Sequence, residues 1–420
     1  MTGRRRGPGV PSRLAHWWAM DGHPEAIVDL GAVRSNVAAL AGHARGAQLM
    51  AVVKADGYGH GMLPVAAAAL AGGASWLGTG SAAEAVALRR AGITAPVLAL
   101  LTSRDAPLPE AVGHGVDLSV STPGLVALAA AAAERAGRPA RLHLKIDTGM
   151  GRGGATSRDW PALLAAALAE QAAGRCEVTG IWSHLACADI PGHPSVDAQV
   201  AAFRQALADA ERAGARPAVR HLANTAAVLT RPDTWFDLVR PGGGVTGLAT
   251  LPGGPPAWLR PAMTVRTRIV QVKRVPAGTP VSYGHRYRTG AAATLGLIPI
   301  GYHEGIPRSA SSTAPVLVRG ARHVIAGTVC MNQCVVDGGD APLEEGDEVV
   351  LFGPGDQGEP TAQEWADLLG TISYDIVTRF TAKIPRSYCG VTEAEAGMVP
   401  AGAGVPAAGG AVPGPAGQEV

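Results

Sequence analysis

Short apolar runs recur along the first two-thirds of the chain, and alanine-rich stretches separate most of them. The runs lie at 49–53 (LMAVV), 75–79 (SWLGT), 96–101 (PVLALL), 116–120 (VDLSV), 141–146 (RLHLKI), 178–184 (VTGIWSH), 219–222 (VRHL) and 236–239 (FDLV). Runs this short, closed off by turn residues, predict strands buried on both faces. Between them, 64–71, 82–91, 122–136, 159–172, 196–213 and the shorter 224–229 predict helices. Eight strands alternating with helices over roughly 250 residues predict a (β/α)8 TIM-type barrel. A doubly wound sheet uses the same alternation, and the count of eight favours the barrel.

After about Arg260 the pattern changes. Runs rich in β-branched residues at 263–275, 293–300, 315–320, 324–330, 334–337 and 347–353 are broken by closely spaced turns, which predicts a mostly-β C-terminal domain. One helix is expected there, at 361–370, with a Thr361/Glu364 capping box and Gly370 as its stop. The expected domains are thus a barrel over 23–260 and a β domain over 261–390. Residues 1–22, rich in Arg, Gly and Pro, and 391–420, almost all Gly, Pro, Ala and Val, are expected to be disordered tails.

Composition narrows the function. The chain has 420 residues, 47% hydrophobic and 17% charged, so it can build a large core. A net charge of +2, with no long basic run beyond Arg4–Arg6, gives no footprint for nucleic acid. No apolar run approaches the ~20 residues of a membrane span. Five scattered cysteines point to a reducing, cytoplasmic setting rather than a disulfide framework, and Cys330 and Cys334 are too isolated to suggest a metal site.

Candidate chemistry starts at Lys54, where an apolar strand runs into a loop with glycines at 57, 59 and 61. Burial favours a neutral amine, the form that condenses with an aldehyde. A lysine stem lying on apolar surface with its ammonium in water is the simpler alternative. A barrel carries its active site just after the strand C-termini. Lys54, Arg152, His184, Asn224, Thr225 and Arg240 all fall there, after strands one, five, six, seven and eight. Gly242–Gly244 follow the last strand. The loops after strands seven and eight are where a barrel holds a phosphate, and Asn224–Thr225 with three glycines offer N–H groups and a hydroxyl for one.

The motifs AVVKADGYGHG, HLKIDTGMGR, WSHLACAD, HLANTAA, LVRPG, VSYGHRY, CMNQ and ISYDIVTR followed by PR appear in the order found in bacterial alanine racemases, over about residues 26–390. The chain therefore resembles that family of fold-type III enzymes dependent on pyridoxal 5′-phosphate (PLP). The resemblance implies that Lys54 bonds the cofactor and serves as base on the D face. Tyr283, lent by the other subunit of a homodimer, would serve the L face. It also implies that Arg152 holds the cofactor's phenolic oxygen and approaches the substrate carboxylate. Tyr58, Thr225, Gly242, Gly243 and Tyr374 would hold the phosphate with Asn224 nearby, while His184 and Arg240 face the ring. Met331 and Tyr302 would meet the amino-acid substrate. Lys145 is often carbamylated in the family. The implied role is L-alanine/D-alanine interconversion in the cytoplasm, supplying D-alanine for peptidoglycan.

Three departures stand out. RPGGGVTGL lacks the tyrosine expected in the phosphate segment, which suggests a more flexible loop. Asn332 replaces the usual acid of CMDQ, and GYHEG places His303 and Glu304 where GYADG is usual. These leave open a racemase of another small amino acid in specialised metabolism. A non-catalytic PLP-binding protein remains a further alternative.

Overall fold

The structure is a computed structural model, and it describes residues 23–380 and 383–400. Both the 1–22 tail and residues 401–420 of the other expected tail lie outside the described residues. The described chain divides into two compact units, one formed by 27–263, 362–380 and 386–400 and the other by 23–26, 264–361 and 383–385.

The larger unit is the eight-stranded parallel barrel. Its strands are β1 (Gln48–Val52), β2 (Trp76–Thr79), β3 (Val97–Ala99), β4 (Asp117–Val120), β5 (Ala140–Lys145), β6 (Cys176–Trp182), β7 (Val219–His221) and β8 (Leu238–Val239), paired in chain order with β8 beside β1. Two backbone bonds close the ring between β7 and β8, from Asp237 N to Arg220 O (3.0 Å) and from Arg240 N to Ala223 O (3.0 Å). Alternation along β1 shows why the strands read as continuous apolar runs. Met50 and Val52 pack with Trp76, Leu98, Val219 and Leu238 in one cluster. Leu49, Ala51 and Val53 pack with Val65, Ala68, Ala69 and other helix residues in a second, larger one.

Six helices coincide closely with the expected ones, and their ends have local causes. Ser81 and Glu84 form a capping box before Ala82–Arg90. Thr122 caps Pro123–Ala136, which stops at the left-handed Gly137. The helices Leu30–His43 and Leu108–Gly113 were not expected.

In the smaller unit, β9 (Met263–Arg268), β10 (Gln271–Val275), β11 (Ala293–Ile298), β12 (Pro315–Val318), β13 (Ala321–Ala326), β14 (Cys334–Asp337) and β15 (Glu348–Phe352) form antiparallel pairs in the order β10-β11-β14-β13-β12-β15-β9. The apolar run at 263–275 is two strands, because β9 pairs with β15 and β10 with β11. The helices Ala362–Leu369 and Ser373–Arg379, which follow these strands in sequence, cluster with the barrel.

The expected tail from 391 is corrected over its first ten residues. Glu393–Ala396 is a short helix with a Thr392/Glu395 capping box. Glu395 is only 1% exposed. Arg34 Nη1 donates to both its carboxylate oxygens (2.6 Å each), and Arg34 Nη2 donates to Gly390 O (2.8 Å). Three polar anchors within a few residues outweigh a composition that, taken alone, favours disorder. Glu395→Ala should therefore destabilise the fold by about 1–3 kcal/mol, since it removes the cap and the partner of Arg34. A urea-unfolding midpoint equal to that of the unmodified chain would show the anchor contributes nothing.

Candidate active site

Strand β1 is tied to β2 up to Val53, whose N–H donates to Gly78 O (2.8 Å). Lys54 follows, and then the backbone turns left-handed for four residues. The φ values of Ala55, Asp56, Gly57 and Tyr58 are 53°, 54°, 63° and 56°. Each non-glycine residue in that region costs roughly 1–2 kcal/mol. The side chain of Asp56 offsets this, since Oδ1 accepts from Met62 N (2.9 Å) and Oδ2 from Arg386 Nη1 (2.5 Å). Arg386 also donates to Gly59 O (3.0 Å). Glu84 fixes the near side by accepting from Ala55 N (3.2 Å) and Gly80 N (2.7 Å). Lys54 is thus held at the C-terminal mouth of the barrel. Burial lowers its pKa, the guanidinium groups of Arg152 and Arg240 lower it further, and Glu84 opposes them.

The loops after β7 and β8 meet at Thr225. Its Oγ1 accepts from Gly242 N (3.0 Å) and Gly244 N (3.3 Å). The glycine-rich loop is not loose, as its composition suggests, but a buried 3-10 turn over Gly243–Thr246. A Cβ at Gly242 would lie 2.1 Å from Tyr58 Oη, and one at Gly243 would lie 2.1 Å from Tyr374 Cε1. The glycines are there because two tyrosine rings lie against the backbone. Those rings meet edge to face at 5.6 Å. Burial keeps both phenols protonated, with Tyr374 pushed up to about 12 and Tyr58 higher still. Both can then donate a hydrogen bond to an anion. Asn224 is the N-cap of Thr225–Thr230, with Oδ1 accepting from Ala227 N (3.1 Å).

Arg240 is buried between these groups. Its Nη2 donates to Ser183 O (2.8 Å) and Leu222 O (3.1 Å) and lies 3.3 Å from His184 Nδ1. Burial, followed by the cations of Arg240, Arg152, Lys54 and Lys145, holds His184 well below its ordinary range, so it is neutral. Trp182 forms a floor under two cations, with Lys145 Nζ 4.3 Å and Arg240 Cζ 4.8 Å from its ring centroid. Burial lowers Lys145 to about 8, with Arg240 and Arg152 contributing.

Lys54, Lys145, Arg152 and Arg240 thus depress or crowd one another at one mouth. The nearest acids are already engaged, Glu84 as above and Asp147 by the N–H groups of Gly149, Met150 and Gly151. Such a mouth suits a polyanionic ligand. A phosphate monoester carrying an ionised phenol and an aldehyde meets every feature: cations for the phenolate, two phenols and a hydroxyl for the phosphate, and an amine for the aldehyde.

The remaining expected site residues belong to the smaller unit, where three loops meet. Ser282, at φ 60°, donates from Oγ to Thr328 O (2.6 Å), and Thr328 Oγ1 donates to Tyr283 O (2.8 Å). Tyr302 N donates to Cys330 O (3.0 Å) and His303 N to Met331 O (2.9 Å). Together these bonds leave Tyr283 72%, Met331 55% and Tyr302 41% exposed. Among the departures, Asn332 Nδ2 donates to Glu304 Oε1 (2.6 Å), and Glu304 Oε2 accepts from Gly301 N (2.8 Å). The two unusual residues are therefore one hydrogen-bonded pair, and a carboxylate remains beside Asn332.

The family model "Alanine racemase, N-terminal domain" matches residues 28–250, and "Alanine racemase, C-terminal domain" matches 262–388. The alanine racemase of Frankia casuarinae is 57% identical over 86% of this chain and 95% of its own, and that of Thermobifida fusca 55% over 88% and 99%. The crystal structure of alanine racemase from D-cycloserine-producing Streptomyces lavendulae superposes with a TM-score of 0.87 at 48% identity, covering 90% of this chain and 100% of that one. The chain belongs to the alanine racemase family.

Alanine racemases depend on PLP. Several residues that shape this family member's site lie within the quoted motifs but received no role from sequence. Trp182, Ser183 and His221 surround Arg240, and Asp56 with Arg386 sets the turn at Lys54. His221 lies within an apolar run and reads as part of a strand. The acid in the KAD motif was the one available hint, since a carboxylate beside a glycine turn commonly accepts backbone N–H groups.

Proposed function

We propose that the chain is a PLP-dependent alanine racemase that works as a homodimer and supplies D-alanine for peptidoglycan in the cytoplasm. The observation that carries the reading is the cluster of cations around Lys54, whose neighbouring carboxylates, Glu84 and Asp147, are already engaged by backbone N–H groups. When bound, the cofactor supplies an electron sink for the pair left behind as the α-proton departs.

The chain's own residues do the rest. Tyr58, Tyr374 and Thr225 would bind the phosphate, at the turn that Gly242 and Gly243 keep open. Arg152 would meet the phenolic oxygen and the substrate carboxylate. Arg240 would face the ring nitrogen. It is a donor that keeps its own proton, so it would not protonate that nitrogen, and this disfavours side reactions that need a stronger sink. Lys54 moves the proton at the substrate Cα on one face, and Tyr283 of the other subunit moves it on the opposite face. Tyr302 and Met331 would line the approach for the amino acid. An exposed catalytic phenol is at odds with a lone chain and fits one that a second copy covers. Lys145, lowered to about 8 and with two guanidinium neighbours, is suited to carry a carbamate, whose negative charge they would balance. Among the described residues, no helix is long and apolar enough to cross a membrane.

The Asn332–Glu304 pair gives some support to a second reading, a racemase of another small amino acid. One experiment separates the readings. Incubated with PLP and L-alanine in heavy water, the protein should produce D-alanine labelled at Cα, and faster than from any other amino acid in a panel. Faster exchange on a different amino acid favours the second reading. Cofactor binding with no exchange on any of them leaves only a PLP carrier.

A further inference from the structure

A chain of buried polar groups runs through the barrel interior, away from the mouth, and no role described above accounts for it. Asp117 on β4, His143 on β5 and His221 on β7 are all almost fully buried. Asp117 Oδ2 lies 3.0 Å from His143 Nε2, His143 Nδ1 lies 2.8 Å from His221 Nε2, and His221 Nδ1 lies 3.1 Å from Arg240 Nη1. On its other side, Asp117 Oδ1 accepts from Arg141 Nε (2.8 Å), and Thr179 Oγ1, which donates to Leu142 O (3.0 Å), lies 3.3 Å from Oδ2. Trp182 stacks on the His221 ring at 5.6 Å and 4°, and the Trp76 ring stands edge-on to His143 at 5.6 Å.

Donor and acceptor rules leave one arrangement of protons. A guanidinium only donates, so His221 Nδ1 must accept. His221 then carries its proton on Nε2 and donates it to His143 Nδ1. His143 in turn carries its proton on Nε2 and donates to Asp117. A second proton on His143 would force His221 to accept at both nitrogens, which a neutral imidazole cannot do. The chain therefore runs in one direction, from a buried cation to a buried anion through two neutral rings. Burial alone would raise the Asp117 carboxyl, but hydrogen bonds from His143 and Arg141 outweigh it and hold the group below its ordinary value.

We propose that Asp117 is a positioning residue for Arg240: acting through His143 and His221, it fixes both imidazole tautomers and so keeps the guanidinium aimed at the cofactor ring. The aim matters because Arg240 Nε has no partner among the described residues. A carboxylate two rings away orients the cation without placing a negative charge beside the ring. This inference rests on the cofactor reading only for its catalytic consequence, and the tautomers stand apart from it.

Asp117→Asn is the informative change. Arg141 must donate, so the new carboxamide turns its oxygen to Arg141 and its NH2 to His143. That NH2 needs an acceptor at His143 Nε2, which moves both ring protons to Nδ1 and sets His221 N–H against Arg240 N–H. The expected result is a fall in kcat of about tenfold or more with little change in KM for alanine, together with faster conversion of the cofactor to its amine form. In 15N-histidine NMR of the cofactor-free protein, His143 and His221 should both carry Nε2–H before the change and Nδ1–H after it. Adding Arg141→Leu frees the carboxamide oxygen to face His143, so the double variant should recover activity and the original tautomers. A purely structural network predicts the opposite, a double variant worse than the single. That result overturns the proposal, as does an Asp117→Asn protein with unchanged tautomers. Should Asp117→Asn fail to fold, the unmodified protein still decides: Nδ1–H on either ring overturns the assignment, and Nε2–H on both supports it.

Discussion

Lys54→Ala should reduce alanine racemisation by roughly 10⁴-fold or more while leaving the fold intact. Two losses coincide in this one substitution. In the proposed mechanism the amine would be both the point of covalent attachment for the cofactor and the base on one face of the substrate, and each function alone is worth orders of magnitude. Nothing else at the mouth can take over. Lys145 lies on Trp182, with Arg240 beside it. His184 is neutral, with Nδ1 directed at Arg240. The turn itself does not depend on the lysine side chain, because Asp56, Arg386 and Glu84 hold it. Thermal unfolding should therefore stay within a few degrees of the parent, while the visible absorbance band that arises from the cofactor's linkage to Lys54 disappears. The pKa direction adds a pH expectation. A lowered lysine pKa means the neutral amine persists to lower pH than in a free lysine, so cofactor attachment should hold well below pH 10. Chiral chromatography of alanine after incubation measures the first effect. A residual rate within a hundredfold of the parent would mean that Lys54 is not the base.

The barrel was legible because its strands are buried on both faces. That demand leaves short runs such as LMAVV and VDLSV nearly free of charge, and the runs stand out between alanine-rich helices. Leu30–His43 escaped because the strand Glu25–Asp29 runs straight into it, with Asp29 as the only punctuation. Leu108–Gly113 has six residues, too few to show a helical period. The line at the mouth was equally readable, since barrel topology puts strand C-termini together and Lys54, Arg152, His184, Thr225 and Arg240 all follow one. The layer beneath was not. In RLHLK, His143 alternates with apolar residues just as an outward-facing polar residue would, and sequence does not say that its neighbours are Asp117 and His221. The phosphate loop misled for a related reason. A run of glycines has the same composition whether it is loose or pressed against two tyrosines, and only the rings of Tyr58 and Tyr374 decide which.

Mixing two inactive variants should restore activity, and by a fixed amount. Lys54→Ala retains Tyr283, and Tyr283→Phe retains Lys54. If each site takes its lysine from one chain and its tyrosine from the other, a mixed dimer holds one complete site and one that lacks both groups. Random reassortment of equal amounts gives half mixed dimers, so the mixture should reach about a quarter of the parent activity. Tyr283→Phe alone should slow turnover of L-alanine by roughly 10²–10⁴-fold, the range for loss of one acid–base group. The substitution removes a hydroxyl from a ring that is 72% exposed, so it disturbs no packing within its own chain. The backbone around it is held independently, by Ser282 Oγ on Thr328 O and by Thr328 Oγ1 on Tyr283 O. Activity regained on mixing therefore reports the shared site rather than a rescued fold. Mixing must include a reversible dissociation step, checked by light scattering, so that subunits exchange. If exchange is complete and the mixture stays as inactive as its parts, each chain supplies its own tyrosine or Tyr283 has no part in the reaction. The activity of Tyr283→Phe alone then separates those two outcomes.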